Sequence, residues 1–469
     1  MFRKLFQRYL FSKNNKIIFT DSDNSYTRGK FLEKIQYYKK ILELNGINKI
    51  KNNGIAICLD RNADYFALIF ASWLLGGFYL PISKNSSRVS INYQLRKSGV
   101  ILFFYFKNNK ITFKKIKNKN KQIYKNICYI IFTSGSTGEK KGVCISYKNF
   151  NQYLVSIKAS LKNNFKSKSL LITGDMSFDI VNADLAFALI YDCEICISED
   201  QINIFGLFAL LEKRKTQSIY AVPTMWEKIV LIAEQFKKRY NFVKNINSGG
   251  EILSKTLCDR ILKVFPKALI INFYGPTEFT INATFCIVNK NLNKNLTDQN
   301  NNISIGKPLK NVKIKIQTKN NKNYGELLLS GNQNMLGYIN SNLNKKIIIN
   351  NKKYYATGDI VSLNKSNNIF YIGRKKDYIK FKGFRINLQN ISSKISKICQ
   401  AQVVVLIKKN RLMAFSKKKL FEKDKQKILS KLDKIEFPEK FIRIKDFPIL
   451  QNNKIDKKKI ENSNFKNEY

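Results

Sequence analysis

The chain has 469 residues, 44% of them apolar, and 84 Lys and Arg against 33 Asp and Glu give a net charge of +51. That length exceeds one ordinary core and calls for two or three packed units, and the apolar share excludes a globally disordered chain. The absence of histidine excludes His-based acid–base catalysis and His metal ligation, leaving Lys, Arg, carboxylates, hydroxyls, backbone amides or a bound cation to carry any chemistry.

The basic residues are spread along the chain among Asn, Ile, Phe and Tyr. Without a nucleic-acid motif such an excess marks compositional drift, so no specific nucleic-acid partner is expected. The most basic stretches, Lys107–Lys121 and Asn340–Lys353, read as solvated loops. The start, MFRKLFQRYLF, is basic and aromatic but lacks the apolar core of a signal peptide. Together with eight scattered cysteines it predicts a cytoplasmic protein with free thiols.

In chain order, Gly54–Leu59 is the first short apolar run that reads as a buried strand. Tyr65–Ile82 carries no charge and approaches the length of a membrane span, but Gly76, Gly77 and Pro81 interrupt it. It predicts a buried helix, a turn and a short strand, with no membrane span. Ile127–Thr133, Leu170–Thr173, Ser218–Val222 and Ala268–Phe273 read as further buried strands, and Phe150–Leu161 and Leu253–Val264 as amphipathic helices. Cys193 and Cys196 fall in an apolar run and predict a buried strand in place of a redox or zinc pair. Asn/Lys-rich breaks at Lys107–Gln122, Asn289–Asn302 and Thr318–Asn323 read as loops. Strand–helix alternation implies an α/β fold with largely parallel sheets. A boundary near Gly373 divides a large N-terminal domain of sheets packed with helices, residues 1–372, from a small C-terminal α+β domain, residues 373–469.

Five motifs carry chemistry. Thr133-Ser134-Gly135-Ser136-Thr137-Gly138-Glu139-Lys140-Lys141-Gly142 follows a strand; its glycines let backbone amides approach an anion, and hydroxyls and a lysine supply donors and charge. Its spacing is not that of a Walker A loop. Asn272-Phe273-Tyr274-Gly275-Pro276-Thr277-Glu278 also follows a strand, placing an aromatic ring, a hydroxyl and a carboxylate where α/β folds bind ligands. Tyr355-Ala356-Thr357-Gly358-Asp359, then Gly373-Arg374-Lys375-Lys376-Asp377, and finally Asn452-Asn453-Lys454-Ile455-Asp456 complete the set. Each alone is also compatible with a solvated turn.

Their joint order, from about Gly54 to Ile460, resembles the adenylate-forming superfamily of acyl-CoA synthetases, peptide-synthetase adenylation domains and D-alanine–carrier protein ligases, the last and single adenylation domains most nearly. The first motif is similar to the family's T-S-G-S-T-G-x-P-K-G, Tyr274–Glu278 to Y-G-P-T-E and Tyr355–Asp359 to Y-x-T-G-D. Gly325-Glu326-Leu327 with Gly337-Tyr338 resembles G-E-L…G-Y, and Gly249-Gly250-Glu251 the adenine-side G-G-E. The resemblance implies an ATP- and Mg²⁺-dependent ligase with a mobile C-terminal domain. Ser134, Gly135, Ser136, Thr137, Gly138 and Lys141 would form the phosphate loop. Tyr274 would stack on adenine, Thr277 would bind the α-phosphate, Glu278 would hold Mg²⁺, and Asp359 and Arg374 would hold the ribose. Lys454 would bridge the substrate carboxylate and the α-phosphate, and Lys376 would be the hinge. Lys140 stands where the family has proline and Asn453 where it has glycine.

Phe178-Asp179 resembles the element whose aspartate meets a substrate ammonium group; read from the residues alone, Asp179 could instead cap the helix that follows. Ala183, Ser248, Phe273, Ile281 and Asn282 would line the acid pocket, and the bulk of Phe273 implies a small amino acid. A phosphopantetheinyl carrier protein acting in trans is the implied acceptor, because no carrier motif follows Lys454. The competing expectations are an acyl-CoA or aryl-CoA ligase of the same fold and a non-enzymatic basic binding protein on a decayed ligase scaffold.

Overall fold

A computed structural model describes residues 1–47, 53–108, 110–117, 124–134, 140–198, 203–289, 294–298, 301–318, 323–339, 346–349, 351–375, 378–448, 455 and 457–463. The chain separates into two compact units. One comprises Met1–Ser83, Leu95–Phe132 and Gly142–Lys375; the other comprises Lys84–Gln94, Thr133–Lys141 and Lys376–Tyr469.

Among the described residues, the larger unit is organised around a nine-stranded and a seven-stranded sheet. In the first, strands Ser169–Ile172, Glu194–Ile197, Ser218–Ala221, Asn245–Gly249 and Leu269–Tyr274 run parallel to one another. Apart from the polar but buried Asn245–Gly249, they are the apolar runs of strands buried on both faces. Alternation divides the side chains. Leu170, Ile172, Tyr220, Ile271 and Phe273 enter one core together with residues of the seven-stranded sheet and the helices Phe2–Phe11, Tyr147–Leu161 and Ile180–Tyr191. Leu171, Ile219, Ala221, Ile246 and Ile270 enter a second core with the helices Ile204–Arg214, Pro223–Gln235 and Lys255–Val264. A third, antiparallel sheet is built from Lys313–Thr318, Tyr324–Ser330, Lys346–Ile349, Lys352–Leu363 and Ile369–Arg374. The expectation of largely parallel sheets therefore fails over residues 313–374.

Tyr65–Ile82 forms a buried helix, Ala63–Leu74, and a strand, Phe78–Pro81, and no helix among the described residues is long and apolar enough to cross a membrane. Cys193 and Cys196 are buried free thiols at and within the strand Glu194–Ile197. Two basic stretches depart from their reading as loops. Lys110–Lys115 pairs antiparallel with Val100–Lys107, and Lys346–Ile349 with Lys352–Leu363. Lys110, Thr112 and Lys114 alternate with Ile111 and Phe113 in the first of these strands, a period-2 pattern that makes a one-sided edge strand, with lysine guarding the open edge.

The smaller unit holds a hairpin, Tyr378–Phe381 with Phe384–Asn387, and a three-stranded sheet of Val403–Lys408, Arg411–Ser416 and Lys440–Arg443. The helix Leu388–Cys399 packs on that sheet through Ile391 and Ile395. The fold is thus mixed α/β, with a large N-terminal and a smaller C-terminal α+β part.

Candidate active site

Three parallel strands run out at Ala221, Gly249 and Tyr274. Paired residues of neighbouring strands share a face, so Tyr220, Asn247, Gly249 and Phe273 point to the first core. The Tyr220 and Phe273 rings lie 5.7 Å apart, and Phe187 packs on Phe273 at 6.2 Å. Phe273 is 2% exposed and fills the end of the space. A Cβ on Gly249 would sit 2.8 Å from the Phe273 carbonyl and 3.1 Å from the Tyr220 hydroxyl, so only glycine lets these walls close.

Ser248 belongs to the same strand but to the opposite face, in step with Ile246 in the second core. Its expected place in the pocket is therefore corrected: one residue along a strand reverses the side. Asn247 and Gly249 stand on the pocket face instead, and Tyr220 joins them. The signal for Tyr220 was its position one residue before a strand's C-terminal end.

A hydrogen-bonded chain crosses the pocket wall. The Tyr220 hydroxyl donates to Asn282 Oδ1 at 3.2 Å, and Asn282 Nδ2 donates to the Tyr153 hydroxyl oxygen at 2.9 Å. Burial raises both tyrosines well above the ordinary range; Asn282 opposes the shift, and Asp179 and Asp184 add to it. Both phenols are thus held neutral. Asp179 begins the helix Ile180–Tyr191, yet its side chain makes no capping hydrogen bond, so the capping alternative is not realised. Its charge acts on the hydroxyls of Tyr79, Tyr129, Tyr153 and Tyr220. Ala183 lies one turn further on and is fully buried, and Ile281 is buried beside Asn282. Ala183, Phe273 and Ile281 thus share one core, in which Asn282 bonds to Tyr220 and Tyr153.

Tyr274 follows Phe273 and turns its hydroxyl to Asp359, donating to Oδ2 at 2.6 Å. Arg374 Nε lies 2.7 Å from the other carboxylate oxygen, with the two side chains 8% and 2% exposed. This pairing comes from the register of two antiparallel strands, in which Asp359 and Arg374 are direct partners. Burial works against the Arg374 charge, but Asp359, with smaller contributions from Tyr274, Tyr371 and Glu278, raises its pKa overall. Burial and the adjacent carboxylate hold Tyr274 well above the ordinary tyrosine range. Glu326, of the G-E-L motif, supports this corner: Oε1 accepts from the Gly358 amide at 3.0 Å and Oε2 from Lys375 at 2.7 Å. That motif was visible in the sequence, but not what its glutamate holds.

Thr277 and Glu278 lie in a single 3₁₀ turn, Thr277–Phe279. Glu278 is 3% exposed, and Oε1 accepts from the Tyr338 hydroxyl at 2.8 Å. One carboxylate oxygen remains for a cation. A single carboxylate completed by phosphate oxygens and water suits Mg²⁺, which keeps most of its shell from substrate and solvent. No group of three or more Cys, Asp or Glu able to form a metal cage occurs among the described residues. Glu251 Oε2 accepts from the backbone amide and hydroxyl of Thr224, in the first turn of the helix Pro223–Gln235. It thereby fastens the Gly249-Gly250 end of its strand, where Gly250 has φ +88°. In the smaller unit, Ser134 ends the strand Ile127–Ser134, and the Thr133 hydroxyl donates to the Lys141 carbonyl at 3.5 Å. Gly135, Ser136, Thr137, Gly138, Lys376 and Lys454 lie outside the described residues.

This fold is that of adenylate-forming ligases. A solved adenylation domain, AlmE from Vibrio cholerae in complex with glycyl-adenosine-5′-phosphate, superposes with a TM-score of 0.79, covering 98% of this chain and 96% of that one at 18% identity. Residues 6–339 match the model of the AMP-binding enzymes, and the chain belongs to that family. Among curated relatives, the dapdiamide synthesis protein DdaD of Enterobacter agglomerans is 26% identical over 400 residues, 82% of this chain. The chain spans 66% of the length of that relative. A D-alanine–D-alanyl carrier protein ligase of Lactococcus lactis is 29% identical over 357 residues, covering 70% of this chain and 68% of that protein.

Proposed function

We propose that the protein activates a small amino acid with ATP as its aminoacyl-adenylate and passes the acyl group to the thiol of a carrier protein acting in trans. The observation that carries this reading is Asp179, which begins the helix Ile180–Tyr191 without capping it and follows Phe178 as in the family's F-D element. A carboxylate at that place would meet the α-ammonium group of an amino acid, two opposite charges paired away from water. The bulk of Phe273 and the closeness of Tyr220 to Gly249 favour a short side chain such as that of glycine, alanine or serine. The glycyl-adenylate bound by the solved relative and the D-alanyl carrier protein named for the curated one support the same class.

In this reading Tyr274 packs on the adenine while Asp359 and Arg374 hold the ribose. A carboxylate has about four acceptor sites, so Asp359 can keep both partners and still accept ribose hydroxyls. Glu278 holds Mg²⁺ on the phosphates. Ser134, Gly135, Ser136, Thr137, Gly138 and Lys141 cradle the leaving pyrophosphate. Thr277 and Lys454 bring the acid's carboxylate and the α-phosphate together, two anions whose approach needs a cation aimed at the developing charge. The domain boundary at residues 372 and 373, with Lys376 as hinge, belongs to the same reading: a C-terminal domain that changes position between adenylation and transfer. ATP–pyrophosphate exchange across D- and L-amino acids, fatty acids and aryl acids tests it. Exchange with alanine, glycine or serine is the expected result; exchange with fatty or aryl acids and with no amino acid overturns it in favour of a CoA ligase.

A further inference from the structure

We propose that Gln333 is a positioning residue: its buried side-chain amide holds the turn from Glu278 to Asn282 in the shape that presents the cation-binding carboxylate on one side and the acid pocket on the other. The inference rests on the site assignment above. Thr280 and Ile281 are consecutive residues in the left-handed region, with φ of 54° and 72°. Both are β-branched, and a β-branched residue at positive φ is an outlier that persists only where its surroundings over-determine it.

Gln333 supplies that determination. It is 1% exposed. Its Nε2 faces three carbonyl oxygens of the turn: Asn282 at 2.9 Å, Phe279 at 3.4 Å and Thr280 at 3.5 Å. The Thr280 hydroxyl donates back to the Gln333 carbonyl. Three converging acceptors require the NH₂ side of the amide, which fixes its orientation. The residues flanking Gln333 are themselves tied down. Asn149, locked in a capping box with Ser146, donates through Nδ2 to the carbonyls of Asn332 at 2.8 Å and Asn334 at 2.7 Å. The Met335 amide donates to the Glu278 carbonyl at 2.9 Å, and Tyr338 holds the Glu278 carboxylate. On the other side, a Cβ at Gly275 would lie 2.1 Å from the Ile281 carbonyl, so the turn is backed by bare backbone.

Gln333→Leu and Gln333→Glu separate this role from general stability. Leucine fills similar space and leaves three buried carbonyls without their donor. The expected result is MgATP binding, measured without acid, weakened about tenfold, and a KM for the acid raised by a similar factor. The acid is alanine, or whichever acid the wild type activates. Among carbonyl oxygens a buried carboxyl keeps its proton and donates one hydrogen bond. Gln333→Glu should therefore recover both constants in part at about pH 6 and lose them again by about pH 8, while the wild type stays flat. Gln333→Leu with a lowered Tm but both constants within about twofold of wild type overturns the proposal. Should the leucine variant fail to fold, the glutamate variant decides: constants that do not improve as pH falls overturn it equally. A wild type that exchanges pyrophosphate only with fatty or aryl acids overturns the amino-acid reading and leaves this comparison intact.

Discussion

The nucleotide side and the acid side of the site solve opposite problems. On the nucleotide side, Tyr274, Asp359 and Arg374 are linked by one hydrogen bond and one buried ion pair. On the acid side, Tyr220, Asn282 and Tyr153 form a neutral chain beside an aromatic wall, and Asp179 brings the charge. The first side meets a ligand that is the same in every turnover, so its groups can be fixed in advance by a buried ion pair. In the proposed reading the second side must tell acids apart, and would do so by shape and by the one charge of Asp179. Buried ion pairs are costly to break from either end, whereas neutral walls can be reshaped with less loss of stability.

Breaking the nucleotide side should have the largest effect. Asp359→Ala leaves Arg374 buried and uncompensated and should cost about 3–5 kcal/mol of stability, read in urea unfolding, together with a weakened affinity for ATP. Adding Arg374→Met should restore much of the stability and none of the affinity. If the single variant is as stable as wild type, the pair is not buried in solution and the contrast between the two sides falls.

The acid side should respond in kinetics more than in stability. Asp179→Asn should raise the KM for the amino acid about 10²-fold, since it removes the charge that meets the ammonium group, and leave the KM for ATP unchanged. Unchanged amino-acid kinetics would remove Asp179 from the pocket. A smaller effect is expected at the wall. Phe273→Ala should let in longer side chains, with each accommodated methylene worth about 1–3 kcal/mol of discrimination. A panel of straight-chain amino acids in pyrophosphate exchange reads this directly, and an unaltered substrate range would show that Phe273 does not bound the pocket.

Much of the site was legible because its residues are contiguous: Tyr274, Thr277 and Glu278 fall within five positions, and Asp359 ends its own motif. Most of the parallel strands were legible too, since burial on both faces writes itself as an apolar run; Asn245–Gly249 was not, because its buried residues are mostly polar. The antiparallel strand Lys110–Lys115 was not, because lysines on an open edge look like loop composition until the period of two is counted; Lys346–Ile349 was hidden as a short apolar run inside an Asn/Lys-rich stretch. Ser248 was expected in the pocket, but the alternation of its strand turns it to the other face.

The sequence by itself determined the strand–helix alternation, the phosphate-loop composition, the order of the motifs and the aspartate that follows Phe178. Those are properties of neighbours along the chain. Only the tertiary structure decided that Arg374 stands against Asp359, that Tyr220 and Tyr153 clasp Asn282, and that Gln333 holds the turn behind Glu278. These partners lie between 15 and 129 residues apart, and a contact of that kind is set by sheet register and packing, which no local pattern of residues encodes.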